Sequence, residues 1–239
     1  MEEVIHILNI PINNINLKEA VNMVEGFLTK ENHYLVFTPN SEMIMMAQED
    51  PEFMHILNSS DLNVPDGIGV VLASRIKGKP LKERVAGFDL MLELIKLSHN
   101  KNYKIYLLGA KEDVVEEAKN KLEMKFPGLN IVGYHHGYFN REEEEDIIRS
   151  INEKKPDILF VAFGAPKQEK WIYKNKDKLC AKVLMGVGGS FDVISGKKKR
   201  APLIFRRMGL EWFYRLLKEP WRYKRMMSLP KFLIRVIWG

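Results

Sequence analysis

YKIYLLG (103–109), DILFVAFG (157–164) and KVLMGVG (182–188) are three nearly unbroken apolar runs, each ending on glycine. Each has the length of one strand. A strand that is apolar at every position, rather than at alternate ones, is buried on both faces, as in a parallel sheet wrapped by helices. A further β-rich run lies at 131–134, and helical patterns at 112–125, 142–154 and 168–175 separate the four. Parallel neighbours need crossovers of helical length, and these supply them. The stretch reads βαβαβαβ, which predicts an α/β fold: a Rossmann-like, doubly wound parallel-sheet body with helices on both faces.

The same rhythm extends toward the N-terminus, with short β-rich runs at 4–8, 34–38 and 62–64. Asn16 and Glu19 form a capping box opening a helix that runs to about Leu28. Further helical patterns lie at 42–48, 51–57, 68–76 and 88–99. Toward the C-terminus the body stops at SGKKKRAP (195–202), a charged joint rich in helix breakers. Beyond it, 204–218, 221–227 and 231–238 read as short helices separated by Pro220 and Pro230. Each mixes apolar and aromatic residues with Arg and Lys, the pattern of helices lying in a membrane interface. The expected organisation is a catalytic body over 1–195 and a basic, aromatic, membrane-docking helical appendage over 196–239. The body is expected to stay folded in a chain ending at Ser195.

Charge supports that division. Residues 196–239 hold 13 Lys and Arg against two acids, Glu211 and Glu219, whereas residues 1–195 hold 24 basic and 29 acidic residues. Three of the four tryptophans, Trp212, Trp221 and Trp238, also lie in the tail. An anionic membrane surface is the partner this implies; nucleic acid is not, because the tail's tryptophans and leucines are spaced for apolar helix faces rather than an extended stacking track. The single cysteine, Cys180, excludes a disulfide framework and a multi-cysteine zinc site. The start Met1-Glu2-Glu3 is acidic where a signal peptide is basic, and no apolar run reaches about 18 residues. These features predict a cytoplasmic protein attached peripherally to the inner face of the cell membrane. A homo-oligomer could form through a body surface that the tail otherwise covers.

Ligands of open parallel sheets bind at the carboxyl ends of the strands. The segments that follow the expected strands are TPN (38–40), PDGIG (65–69), GA (109–110), HHGYF (135–139), GAPKQE (164–169) and GVGGSFD (186–192). Their glycines, Gly137, Gly164 and Gly188 among them, let backbone amides approach a diphosphate. Neither a P-loop nor an intact G-x-G-x-x-G is present. Asp66, between Pro65 and Gly67, can serve as a general base or as the N-cap of the helix that follows. Thr38 and Asn40 can hydrogen-bond a sugar or close a turn. Gln168 can hold a sugar or phosphate, or be an exposed first-turn residue. Metal ligation is not expected, since H-E-x-x-H and D-x-D are absent. Cationic side chains would then neutralise a leaving diphosphate, with Arg84, Arg215, Arg222 and Arg225 as candidates, or serve as surface and lipid contacts.

Five of these strings occur in order: TPNSEM, PDGIGVVLASRIKGKPLKERVAGFDL, GAPKQEKWI, GVGGSFDVISGKKKRAP and GLEWFYRLLKEPWRYKR, reaching from Thr38 to Arg225. Together they resemble the WecG/TagA/CpsF glycosyltransferase family, also called glycosyltransferase family 26, and within it the TagA branch. The resemblance implies a Rossmann-like fold distinct from the two commonest glycosyltransferase folds. It also implies inverting, metal-independent transfer without any cofactor. The donor would be UDP-N-acetylmannosamine, the acceptor polyprenyl-diphosphate-N-acetylglucosamine, and the product the linkage unit of wall teichoic acid. Another UDP-amino-sugar donor, such as N-acetylmannosaminuronic acid, is the alternative within the family. Carried over residue by residue, Asp66 matches the catalytic base, and Thr38, Asn40 and Gln168 match polar residues of the pocket. Arg84, Arg215, Arg222 and Arg225 match phosphate-stabilising positions, while Asp192, beside the Gly188 loop, and Tyr138 would contact the nucleoside. A different nucleotide enzyme on the same sheet, such as a dehydrogenase, is the rival that fold alone leaves open.

Overall fold

A computed structural model of the chain describes residues 3–223 and 227–238, with only the backbone of Arg215 and Arg222. Its centre is a six-stranded sheet in which every pairing is parallel. The strands are β3 (Tyr34–Phe37), β4 (Leu62–Asn63), β5 (Ile105–Gly109), β6 (Ile131–His135), β7 (Ile158–Ala162) and β8 (Val183–Gly186), in the order β4-β3-β8-β7-β5-β6. All six match expected strands to within two residues at either end. The three apolar runs became β5, β7 and β8, buried at every position.

Alternate residues of each strand feed two cores. Leu159 and Val161 of β7 face one side, and Ile158, Phe160 and Ala162 the other. The first core is covered by α2 (Ser41–Glu49), α3 (Pro51–Asn58), α4 (Ile68–Ile76), α7 (Arg141–Lys154) and α8 (Lys167–Asn175). The second is covered by α1 (Leu17–Leu28), α5 (Gly87–Lys101), α6 (Glu112–Lys125) and the short α9 (Ser190–Ile194). The capping box at α1 forms as expected, with Asn16 accepting from the Glu19 amide at 2.9 Å and Glu19 accepting from the Asn16 amide at 2.8 Å.

The N-terminus departs from expectation. The single strand expected at 4–8 is a hairpin of β1 (Val4–Ile7) and β2 (Ile10–Asn13), turning through Leu8 and Asn9 at φ 47° and 65°. Two successive residues with positive φ are what a tight hairpin turn demands. Asn9 is a usual occupant but leucine is not, so the turn carries only half of its customary signal. The hairpin docks beside β4, where the Asn63 amide donates to Asn13 Oδ1 at 2.9 Å.

The tail departs more. The helix expected over 204–218 is two, α10 (Leu203–Arg207) and α11 (Glu211–Lys218), broken at Gly209 with φ 71°. A Cβ at Gly209 would sit 2.9 Å from Ile68 Cγ1, so the break lets the backbone press on the start of α4. Pro220 opens a 3₁₀ turn, Pro220–Arg222. Pro230, expected to separate helices, lies in the first turn of α12 (Ser228–Trp238), where its missing N–H has no intrahelical partner to lose. Along α12, Leu229, Phe232 and Val236 recur at helical spacing. Phe232 is fully buried in the first core with Val236, and Leu229 Cδ1 approaches so closely that Gly69 of α4 has no room for a Cβ. The boundary at residue 196 is therefore one of charge, and packing crosses it. A chain ending at Ser195 would bare the faces of α2 and α4 that α12 covers, so a melt of that shortened chain is the test of whether it stays folded.

Candidate active site

Each loop singled out above lies at the carboxyl edge of the sheet. In spatial order come Asp66 after β4, Thr38 and Asn40 after β3, Gly188 and Asp192 after β8, Gly164 and Gln168 after β7, and Gly137 and Tyr138 after β6. The chain moves from β5 outward to β6 but from β7 the opposite way to β8, so β5 and β7 diverge at a topological switch point.

Asp66, Asn40 and Arg84 come together in one cleft with Ser41, Gly67 and Gly69. Two backbone bonds set its shape. The Asp66 amide donates to Pro39 O at 3.2 Å, tying the β4 loop to the β3 loop, and the Val85 amide donates to Pro65 O at 3.0 Å, bringing Arg84 alongside. Asn40 takes the bland role as well as the lining one: it caps α2, accepting from the Met43 amide at 3.1 Å. Asp66 does not cap α4. Gly67 holds that position at φ 88°, without a side-chain cap, so the N-cap reading of Asp66 is corrected. Thr38 packs against the first turn of α5, where a Cβ on Gly87 would lie 2.9 Å from its Oγ1.

The opposite wall of the cleft is the tail: Gly209, Glu211, Trp212, Ser228 and Leu229. Arg84 is not an open cation there. Its Nη1 donates to Glu211 Oε2 at 2.8 Å, with both side chains less than one-fifth exposed. Behind Glu211 stands Arg200, which binds Asp89 of α5 through both terminal nitrogens at 2.5 and 2.7 Å and stacks over Phe88. Burial disfavours the Arg200 cation, but the carboxylates of Asp89 and Glu211 outweigh that and hold the guanidinium above its ordinary range.

Gln168 is not exposed and does not line this cleft; it is 4 % exposed and braces two loops. Its Oε1 accepts from the Gly164 amide at 3.1 Å and the Gly188 amide at 2.9 Å, both residues having positive φ. Its Nε2 donates to Glu169 Oε1 at 2.7 Å. Gly186 leaves space for this amide, since a Cβ there would lie 2.7 Å from Nε2. Burial pushes the Glu169 carboxyl up to about 7, only partly offset by the Gln168 bond. Gly137 lets its loop pack on Phe163, and its amide donates to Ala110 O at 2.8 Å. Tyr138 is 72 % exposed, available to stack on a flat ligand. Asp192 lies half-buried in α9, with its carbonyl accepting from the Lys198 amide at 2.9 Å. The side chains of Arg215 and Arg222, and the whole of Arg225, lie outside the described residues.

Glu169 and Arg200 of this edge escaped the sequence reading, and Glu211 and Trp212 entered it only as part of the tail motif. Glu211 carried a usable signal, being one of two acids in a strongly cationic segment. Arg200 and Glu169 carried none, because their partners are distant in sequence or meaningful only through burial.

The chain is 39% identical over 236 residues to an N-acetylglucosaminyldiphosphoundecaprenol N-acetyl-beta-D-mannosaminyltransferase of Bacillus subtilis (strain 168), covering 98% of this chain and 91% of the relative. The protein of the same name from Staphylococcus aureus (strain MW2) is 36% identical, with 97% and 91% covered. That from Bacillus spizizenii is 39% identical over 211 residues, with 88% and 81% covered. Residues 5–239 match the description "Glycosyl transferase WecG/TagA/CpsF family". With that match over nearly the whole chain and relatives 36–39% identical along most of its length, the chain belongs to the WecG/TagA/CpsF family of glycosyltransferases.

Proposed function

We propose that the chain transfers N-acetylmannosamine from UDP-N-acetylmannosamine to undecaprenyl-diphosphate-linked N-acetylglucosamine, making a β-1,4 linkage in the linkage unit of wall teichoic acid. The name shared by its relatives supports the choice of sugars. The observation that carries the chemistry is the meeting of Asp66, Asn40 and Arg84 in one cleft closed on its far side by the tail.

Transfer is a single in-line displacement. Asp66 takes the proton of the acceptor's 4-hydroxyl as its oxygen bonds to the donor's anomeric carbon. The bond from that carbon to the diphosphate breaks on the opposite face, so the anomeric centre inverts and UDP departs with the electron pair. Arg84 and the tail arginines Arg215, Arg222 and Arg225 meet the charge that develops on the diphosphate, a role worth about 10²–10³ in rate for one preorganised contact. Thr38 and Asn40 orient the sugar, Gln168 fixes the Gly164 and Gly188 loops to each other at the sheet edge, and Asp192 and Tyr138 take the nucleoside. With cations in that role the reaction needs no divalent ion, and a chelator should leave the rate unchanged.

The reaction takes place at a membrane surface, inferred to be the inner face of the cell membrane. Among the described residues no helix is long and apolar enough to cross a bilayer. The tail instead exposes Ile204, Leu217, Trp221, Ile234, Ile237 and Trp238 among its cations, as interfacial helices do. Incubation with UDP-N-acetylmannosamine and a prenyl-diphosphate N-acetylglucosamine should yield UDP and a lipid-linked disaccharide. Turnover only with the uronic-acid donor would move the assignment elsewhere in the family, and turnover with no UDP-sugar would overturn it.

A further inference from the structure

The segment 196–239 holds only two acids, and they bracket α11: Glu211 is its first residue and Glu219 follows its last. Both meet cations of the joint that begins the tail. Arg200 reaches Glu211 with Nε at 3.4 Å, and Lys198 reaches Glu219 at 3.7 Å. Arg200 is the stronger anchor. Its two terminal nitrogens grip Asp89 on the first turn of α5, its Cζ lies 4.6 Å from the Phe88 ring centroid, and its side chain is 16% exposed. A planar guanidinium held in a fork, set over an aromatic ring and largely screened from solvent is a fixed point, unlike a surface lysine. The run of ion pairs then continues through Glu211 to Arg84, which lines the Asp66 cleft. Arg200 itself does not line the cleft.

We propose that Arg200 and Glu211 are positioning residues for transfer: with Asp89 they form a clasp that fixes α11 across the cleft and aims the Arg84 guanidinium into it. The basic joint KKKR (197–200) thereby serves the protein's own assembly before it serves any lipid, with Lys197 also paired to Asp113 on α6 at 2.9 Å. Removing Arg200 leaves Glu211 facing Arg84 alone and Asp89 without its fork. Helix α11, with Trp212 on the cleft wall, then loses its fixed seat. A misplacement of about 1 Å in such a site costs on the order of a hundredfold in turnover.

The inference rests on the cleft being the transfer site, and the experiment separates the two claims. In full-length Arg200→Met, Arg200→Lys and Asp89→Asn, hydrogen exchange is read over the amides of α11 and of the sheet, alongside kcat and KM for the donor. The clasp predicts α11 exchange faster by about tenfold or more in Arg200→Met with sheet exchange unchanged. It also predicts a kcat lower by on the order of tenfold to a hundredfold, Asp89→Asn moving the same way and Arg200→Lys lying between. Unchanged α11 exchange overturns the clasp. Faster exchange with native kcat overturns the positioning role. Should the native chain transfer no sugar, the functional reading falls while the exchange measurement still decides the clasp.

Discussion

At Asp66 the chemistry depends on one residue of displacement. Gly67, at φ 88°, holds the N-cap position of α4, and Asp66, one residue earlier, lines the cleft. The Asp66→Asn chain should melt within a degree or two of native yet transfer sugar slower by about 10³ or more, as expected for loss of a general base. Glu169 carries the clearest pH signature. Below pH about 4.5 its carboxyl is neutral in both folded and unfolded chains. Between there and about 7 the unfolded chain gives up its proton while the folded chain, burying the group, keeps it. Stability should therefore fall as pH rises through that window, by roughly 3 kcal/mol in all. Glu169→Gln, a shape mimic of the neutral acid, should flatten the decline, and denaturant melts at pH 5 and pH 8 measure it. Asp66 and Asn40 were legible in sequence because a strand end followed by a turn places them locally. The bracing by Gln168 was not, since its partners Gly164 and Gly188 lie in loops that follow two different strands.

Among the elements, the runs 103–109, 157–164 and 182–188 announced β5, β7 and β8 because nothing but double-sided burial produces unbroken apolar strands. The hairpin went unread because Leu8 occupies a turn position that Gly, Asn or Asp usually marks. The break between α10 and α11 is written only as Gly209, and a lone glycine in a helical pattern is often tolerated. Helix α12 is the element whose role changed most. Its sequence suits an interface, and one face does remain exposed at Ile234, Ile237 and Trp238, but Phe232 and Val236 on the other are core. Phe232→Ala should cost about 3 kcal/mol or more in a chemical melt, the usual loss for a fully buried aromatic. A purely peripheral anchor would lose almost nothing.

The whole molecule is a mildly acidic body to which a cationic tail is fastened by core packing and by partly buried ion pairs, so that the tail walls the cleft and still offers an apolar surface to solvent. Charge counting located that tail but could not distinguish a loose anchor from a structural wall; the distinction needs the contacts of Leu229, Phe232, Glu211 and Arg200. Vesicle binding should separate the two faces of α12. Replacing Ile234 and Ile237 with glutamate should weaken flotation with anionic liposomes by roughly tenfold or more, since each apolar side chain removed from water contributes about 1.5–3 kcal/mol. The melting temperature should hardly move. The most direct measurement of the central claim, that the cleft between body and tail is where the sugar is transferred, is turnover of UDP-N-acetylmannosamine on a short-chain prenyl-diphosphate N-acetylglucosamine by the native chain and by Asp66→Asn side by side. The account predicts a β-linked disaccharide lipid from the native chain and almost none from a folded Asp66→Asn chain; near-native turnover by that variant would contradict it.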